Sequence, residues 1–336
     1  MGIWRLLVSW LRYIQSFWRH PTKTQPTIGS TFNSSFIQSW YCQNWDLNRW
    51  LQEYRMLQKV GIDEIIIQDI ADTKRSHAVY PTKMQGYTCN TIDMVGTALE
   101  AADRTGMNVR IGLGFSNDWW LISALNSEWL INEGRVNMDI VLEIVTMYGS
   151  YKSLTGWYIP YEFHQFTALG HARQGDLNMF FKEISAAIKF NSDKNIMVAP
   201  FYNSLLSLSY SFASWSKIVY QILRNTGIDI LALQDSVGAG FNTLNNIDEI
   251  YRYTKKATDA MGMSLYVITE TFDATPNANQ PASFNRIRQQ MAIVSPYVER
   301  FVAFSIDHYE NGNEPSQVTG YDEYERYYFE HAEKST

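Results

Sequence analysis

Eight short apolar runs, each followed by a longer segment of helical period, are the feature that most constrains the fold of this chain. The runs are rich in β-branched and aromatic residues, which is typical of buried strands. They cover residues 29–38, 64–68, 108–115, 156–162, 195–202, 229–234, 264–270 and 300–306. Eight strands that each precede a helix predict a closed (β/α)8 barrel, that is, an α/β TIM barrel in a single domain.

The segments between these runs predict the helices of that barrel. They cover residues 46–59, 91–104, a double segment 117–151, 176–191, 210–225, 244–261, 281–298 and 321–332. Four glycines stand where a helix end needs a positive φ, namely Gly61, Gly106, Gly227 and Gly262. The rival architecture, an open doubly wound sheet, needs a glycine-rich phosphate loop after its first strand, and residues 36–45 contain no glycine.

The first twenty residues are predicted to be a separate amphipathic helix. Arg5, Ser9, Arg12, Ser16 and Arg19 recur at spacings of four and three, so they form a narrow polar stripe on a wide apolar surface. This pattern is typical of a helix on a membrane surface, and a helix docked on the barrel is the alternative. Its arginines disfavour a spanning helix and a cleavable signal. Residues 21–28 are predicted to be a linker, and residues 29–336 the barrel.

Composition narrows the class of partner. The formal net charge of -6 argues against nucleic acid, whose binding needs clustered cations. Aromatic residues make up 15% of the chain, and their flat apolar faces suit stacking on sugar rings. The two cysteines, Cys42 and Cys89, could pair or remain free. They therefore do not determine whether the protein is found in an oxidising or a reducing compartment, and its cellular location is not predicted.

In a barrel of this type the site is built from the carboxyl ends of the strands and the loops that follow them. Asn117 at such an end is predicted to cap a helix. The other polar and aromatic side chains at these ends are predicted to contact substrate, with the tryptophans stacking on rings and His164 in a supporting position. These candidates are Gln38, Trp40, Gln68, Trp119, Trp120, His164, Tyr202, Asn203, Asp235, Asp307, His308 and Tyr309.

Two carboxylates at strand ends are the candidate catalytic residues. Glu162 ends the fourth strand and Glu270 ends the seventh, and an ionisable group beside an apolar run must be paired, neutral or in use. Strands four and seven lie on roughly opposite walls of a barrel. Glycoside hydrolysis needs one protonated carboxyl and one ionised carboxylate on opposite faces of a sugar. The pair therefore predicts a glycosidase.

The same residues carry a family resemblance. The segments GWYIPYEFHQF (156–166), LQDSVGAG (233–240), VITETFD (267–273) and AFSIDHY (303–309), with FIQSW (36–40) and IIIQ (65–68), resemble the bacterial barrels of the domain-of-unknown-function 4434 family. That group is similar to clan A glycoside hydrolases, including family 5 cellulase-like endoglucanases, and some members are associated with exopolysaccharide synthesis.

The resemblance implies that Glu162 is the acid/base and Glu270 the nucleophile of a retaining endo-β-glycosidase. The expected substrate is an exopolysaccharide or a cellulose-like β-glucan, and a polysaccharide synthase beside the membrane is the expected protein partner. Two departures stand out. Tyr161 occupies the place where clan A enzymes usually have asparagine, and Asp307 with His308 stands where they have a tryptophan.

Two other functions compete with hydrolysis. A metal-dependent sugar isomerase or aldolase would also gather Glu, Asp and His side chains at the strand ends. A barrel that binds polysaccharide without cleaving it would use the tryptophans as stacking surfaces, and its glutamates would be structural. Hydrolysis by two carboxylates and water needs neither a cofactor nor a metal, and we expect none.

Overall fold

A computed structural model describes residues 30–121, 123–206 and 211–332. Within them, eight parallel strands close into a barrel in chain order, each strand pairing with the next and the eighth with the first. The strands are β1 (Ser34–Ile37), β2 (Glu64–Ile67), β3 (Asn108–Gly112), β4 (Leu154–Ile159), β5 (Asn195–Val198), β6 (Ile230–Gln234), β7 (Ser264–Glu270) and β8 (Arg300–Phe304). The prediction of a (β/α)8 barrel is confirmed.

In the described part of the chain, eight long helices surround the barrel. They are α1 (Leu47–Lys59), α2 (Met94–Thr105), α3 (Ser127–Tyr148), α4 (Gly170–Asn191), α5 (Phe212–Leu223), α6 (Ile247–Met261), α7 (Phe284–Val294) and α8 (Val318–Ala332). Side-chain caps fix several of their starts, as where Asp46 accepts from the N–H of Arg49. Helices α2 and α6 end at glycines with φ of 76° and 67°, as predicted.

Several predicted boundaries differ from the structure. The double segment 117–151 consists of two short 3-10 turns, Asn117–Trp120 and Ser123–Leu125, before α3 begins. The capping residue there is Ser116 instead of Asn117. Helix α4 begins at residue 170 and not at 176, and residues 279–281 pair with 272–274 as a small hairpin instead of opening a helix.

The predicted amphipathic helix 1–20 and the linker 21–28 lie outside the described residues, and they stay predictions. Within the described ranges, no helix is long and apolar enough to cross a membrane. Both cysteines are free thiols, with Cys42 buried and Cys89 exposed.

Alternation of side chains along the strands decides what faces the barrel interior. One buried cluster fills that interior, and it includes Phe36, Ile66, Tyr158, Ile230, Ile268 and Val302. A second, larger cluster fills the space between strands and helices. Because inward positions recur every two residues, the next inward positions toward the carboxyl ends are Gln38, Gln68, Glu162, Gln234 and Glu270.

An ion pair closes the opposite end of the barrel. Arg110 donates to Glu64 at 2.9 Å, and the hydroxyl of Ser34 donates to the same carboxylate at 2.8 Å. Both charged side chains are at most 6% exposed. The barrel is therefore closed at the amino ends of its strands, and the longer loops lie at the carboxyl ends.

Candidate active site

A cleft of about 520 Å³ opens at the carboxyl ends of β1 to β4. Its floor and walls include Gln38, Gln68, Asp69, Pro160 and Glu162, each at or just after a strand end. Two indole rings flank it. Trp40 lies in a short helix after β1 with 63% of its surface exposed, and Trp120 lies in the turn after β3 with 45% exposed.

Glu162 presents its carboxyl group to this cleft while it remains partly buried. Burial raises its pKa from 4.5 to about 7, and a hydrogen bond from the Gln234 side chain acts in the opposite direction. The main chain at Glu162 is fixed from the helix side, because Trp119 Nε1 donates to its carbonyl oxygen at 2.9 Å. A carboxyl group with this pKa can keep a proton near neutral pH and give it to a bound ligand.

Glu270 is the last residue of β7 and is only 4% exposed. Its Oε2 accepts a hydrogen bond from the main-chain N–H of Ala239 at 2.6 Å. The chain approaches so closely that a Cβ on Gly238 would lie 2.0 Å from the carbonyl oxygen of Phe272 and 3.1 Å from Glu270 Oε2. Only glycine fits at position 238, and the loop after β6 is thereby held against the carboxylate.

Burial raises the pKa of Glu270, and the charges of Asp235 and Glu162 raise it further. The Ala239 N–H and the Arg286 guanidinium lower it. Because the charge of Glu162 acts on Glu270, the two carboxyl groups share one electrostatic environment. Glu270 does not belong to the lining of the cleft, so a ligand there faces Glu162 first.

Five of the predicted contacts are core residues. Trp119 is 1% exposed and packs against Tyr161 and Phe180, with ring centroids 5.2 and 6.2 Å away, so the prediction of Trp119 as a stacking surface for sugar is wrong. Tyr202 packs edge-on against Trp215 on α5. The other buried members of the group are Asn203, Asp235 and Asp307.

We predicted that these buried polar residues contact substrate hydroxyls, but in the structure they form hydrogen bonds within the protein. The main chain of Asn203 exchanges hydrogen bonds with the side chain of Gln165, through its N–H at 3.1 Å and its carbonyl oxygen at 2.6 Å, and the Asn203 side chain accepts from the N–H of Leu205 at 3.0 Å. Asp307 is fully buried and accepts from the hydroxyl of Ser35 at 2.5 Å. Asp235 is also fully buried and accepts from Gln290 at 2.5 Å. Asp235 and Asp307 follow their strands as predicted, but their side chains bond to Gln290 on α7 and to Ser35 on β1.

The two histidines of the predicted set are held neutral. Burial lowers the pKa of His164 to about 4, and its ring stacks on Phe201 with centroids 4.8 Å apart. Burial likewise lowers the pKa of His308 to about 4, and its Nε2 accepts from the N–H of Gln38 at 3.0 Å. The exposed ring of Trp40 stacks on His308 at 5.5 Å, so His308 supports Trp40 from behind.

Tyr309 is partly buried, and its hydroxyl accepts a hydrogen bond from Asn279 in the small hairpin at 3.1 Å. Burial raises its pKa, and the charge of Glu270 adds to this effect. Tyr309 therefore lies within the electrostatic reach of the second carboxylate, on the β8 side of the barrel mouth.

Residues outside the set of predicted substrate contacts also line the cleft. Asp69 follows Gln68, and its carboxylate accepts from the hydroxyl of Ser39 at 3.0 Å, while burial raises its pKa to about 6. Arg75 and His77 come from a long excursion after β2 that forms strands of two residues. Such short strands leave no periodic signal in the sequence.

Tyr161, one of the two departures noted in the sequence, points away from the barrel interior. It is fully buried, and its hydroxyl donates to Glu133 and accepts from Asn137, both on α3. Alternation explains this, since Tyr158 and Glu162 face inward and Tyr161 is out of phase with them. In the part of the chain that the structure describes, no three His, Cys, Asp or Glu side chains come together in a way that could hold a metal ion.

Fold and site together define a (β/α)8 barrel with ionisable carboxyl groups at its strand ends. The chain belongs to the family described as "Domain of unknown function (DUF4434)", whose model matches residues 34–319. No curated protein matches the sequence.

Several solved structures share the fold. A protein from Bacteroides thetaiotaomicron VPI-5482, provisionally called an α-L-fucosidase, is 20% identical with a TM-score of 0.76, over 93% of this chain and 99% of that one. The catalytic domain of β-amylase from Paenibacillus polymyxa is 11% identical with a TM-score of 0.56, over 89% and 98%. The endo-1,4-β-mannanase from Rhizomucor miehei is 11% identical with a TM-score of 0.54, over 93% and 97%. At these identities the similarity establishes the barrel fold.

Proposed function

We propose that this chain is a glycoside hydrolase in which Glu162 is the acid/base and Glu270 the nucleophile. The observation that carries the proposal is Glu162 itself, a carboxyl group with a pKa of about 7 that faces an open cleft between two exposed indole rings. The enzyme names of the three similar structures, a fucosidase, an amylase and a mannanase, support the same class.

The proposed reaction proceeds by double displacement. The protonated carboxyl of Glu162 gives its proton to the glycosidic oxygen as that bond breaks, while the carboxylate of Glu270 forms a bond to the anomeric carbon. Glu162, now ionised, then takes a proton from water, and the resulting hydroxide oxygen displaces Glu270. One glycosidic bond is broken, one water is consumed, and both carboxyl groups return to their starting states.

The raised pKa of Glu270 fits this scheme if the pair is considered as a unit. Between its two titrations the pair holds one proton, which is shared between two arrangements. The reactive arrangement has the proton on Glu162 and the charge on Glu270. Burial and the charge of Asp235 favour the protonated form of Glu270, whereas the Ala239 N–H at 2.6 Å and the nearby Arg286 favour its charged form.

The open shape of the cleft favours an endo-acting enzyme on a long chain. Trp40 and Trp120 offer ring faces for sugars on either side of the cleavage point, and His308 supports the first of them. Gln38, Gln68 and Asp69 provide hydrogen-bonding groups on the floor. The proposed substrate is an exopolysaccharide or a cellulose-like β-glucan, with configuration retained.

The test is to incubate the protein with a panel of soluble β-glucans, mannans and related polysaccharides and to measure new reducing ends, with and without a chelator. Glu162→Gln and Glu270→Gln should each lose roughly 10²-fold or more of the rate. Glu330→Gln, which removes an exposed carboxylate on α8, is the matched control and should not change it.

Three results would reject the proposal. Loss of activity with chelator would favour the metal-dependent class. Binding of a polysaccharide without any cleavage would indicate a binding barrel. Cleavage that survives either glutamine substitution would show that other residues carry the chemistry.

A further inference from the structure

The loop after β6 encloses Glu270 from two sides. Ala239 in this loop donates to the Glu270 carboxylate, as described above. Asp235, at the start of the same loop, lies behind the strand, where its Oδ1 accepts from the main-chain N–H of Glu270 at 3.4 Å and of Val237 at 3.2 Å. One carboxylate thus connects the main chain of β7 to the loop that holds the Glu270 side chain.

The other oxygen of Asp235 is tied to helix α7. Gln290 Nε2 donates to Asp235 Oδ2 at 2.5 Å, and Gln290 Oε1 accepts from Arg286 at 2.5 Å. Arg286 also donates to the carbonyl oxygens of Glu270 at 3.2 Å and of Phe272 at 2.6 Å. Asp235 and Gln290 are both fully buried. A series of hydrogen bonds runs from Arg286 through Gln290 to Asp235 and contacts Glu270 from the helix layer. None of these three residues lines the cleft.

We propose that Asp235 is a positioning residue, which fixes Glu270 between β7 and the loop after β6 and acts on its proton by charge. This inference rests on the proposed function of Glu270 as nucleophile. A buried carboxylate this close to another one is costly unless hydrogen bonds compensate it, and three donors do so here. Asp235 keeps Glu270 in place and at the same time opposes its ionisation.

Other groups also act on Glu270, and the balance among them decides its charge. They are Glu162 after β4, Tyr251 on α6, Arg286 on α7 and Tyr309 after β8. The charge of Asp235 is the largest contribution from a neighbouring charge to the raised pKa of Glu270. When the anomeric carbon gains positive charge, it attracts the charged form of Glu270, so ionisation is favoured most in the transition state.

The experiment measures the titration of Glu270 directly, by NMR of carboxyl groups in protein labelled with 13C-glutamate. The resonance that is missing in Glu270→Gln identifies the residue. Asp235→Asn removes the charge but leaves a poor partner for Gln290. The double variant Asp235→Asn/Gln290→Glu moves the carboxylate one side chain away, next to Arg286, and restores complementary hydrogen bonds. The double variant therefore keeps the test possible if Asp235→Asn alone does not fold.

We expect the pKa of Glu270 to fall by about one unit or more in Asp235→Asn, and by a smaller amount in the double variant. The acid limb of the pH profile of kcat/KM should move to lower pH in the same order. If Glu270 titrates as in the wild type in a folded variant, Asp235 has only a structural role and the proposal is overturned. Because the NMR titration needs no turnover, this outcome is distinct from a failure of the glycosidase proposal, in which no polysaccharide is cleaved.

Discussion

Trp119 Nε1 donates a hydrogen bond to the main-chain oxygen of Glu162 over 2.9 Å. The indole is 1% exposed and lies between the strand end and the helix layer, whereas its neighbour Trp120 is 45% exposed on the cleft. Two adjacent tryptophans thus have different tasks. One fixes the main chain that carries the proposed acid, and the other offers its ring to the cleft.

This difference is testable with one conservative change at each position. Trp119→Phe removes a buried hydrogen bond and leaves a small void, so we expect the free energy of unfolding to fall by about 2 kcal/mol. Trp120→Phe should lower it by less, about 1 kcal/mol or below, because 45% of the Trp120 surface is exposed. Chemical denaturation of both variants measures the difference, and equal losses would show that Trp119 is not the buried support described here.

Loss of either exposed indole should weaken substrate binding. Trp40→Ala and Trp120→Ala should each raise KM by roughly tenfold, because stacking on a ring contributes about 1 to 2 kcal/mol, and kcat should change less. Phe190→Ala is the control, since this ring is 90% exposed but lies at the end of α4, next to the start of β5 and far from the cleft. An unchanged KM in both tryptophan variants would contradict the assigned sugar-binding surface.

Ionisation of the buried Glu162 carboxyl should lower the free energy of unfolding at high pH. Its pKa is raised in the folded chain from 4.5 to about 7, so the folded state keeps a proton that the unfolded state releases. Stability is therefore unaffected below pH 4.5, falls as the pH rises to about 7, and stays lower above that.

Glu162→Gln should remove this pH dependence. At pH 8 the variant should be more stable than the wild type by about 1 to 3 kcal/mol, and at pH 4 the two should be alike. Denaturant titrations at several pH values measure the effect. A constant difference across the range would mean that the carboxyl group of Glu162 titrates normally.

The fold could be predicted almost completely because its signal is periodic. The strand Ile230–Gln234 and the helix Ile247–Met261 are long enough to show their periods, and both lie within the predicted ranges. The excursion after β2 could not be predicted in this way, since its strands have two residues and depend on pairing between distant segments. Arg75 and His77 reach the cleft only through that pairing.

The candidate site could be predicted by position but not by direction. The rule that strand ends carry the site located Glu162, Gln68 and Trp40 correctly at the cleft. It failed for Asp235, since the same strand end presents Gln234 to the interior and Asp235 to α7. Side chains alternate along β6, and Ile230 and Ala232 face inward. The same alternation puts Gln234 inside the barrel and Asp235 outside it.

Activity should have a bell-shaped dependence on pH, with both limbs above the ordinary glutamate value. Burial raises the pKa of Glu162 to about 7, and burial with the charge of Asp235 raises the pKa of Glu270 to about 8. Because the reactive form of the pair holds one proton, activity should be highest between these two titrations and fall on either side. A profile of kcat/KM from pH 4 to 9 measures both limbs, and a rate that stays constant to pH 9 would contradict the role of Glu162.

The most direct test of the central claim compares a polysaccharide with an aryl glycoside of the same sugar in single-turnover experiments. A nitrophenolate leaving group needs no proton, so Glu162→Gln should still release it in a burst while it fails on the polymer. Glu270→Gln should fail on both substrates, because the bond to the anomeric carbon is not formed. A burst from Glu270→Gln, or equal losses on both substrates in Glu162→Gln, would contradict the assignment of these two glutamates.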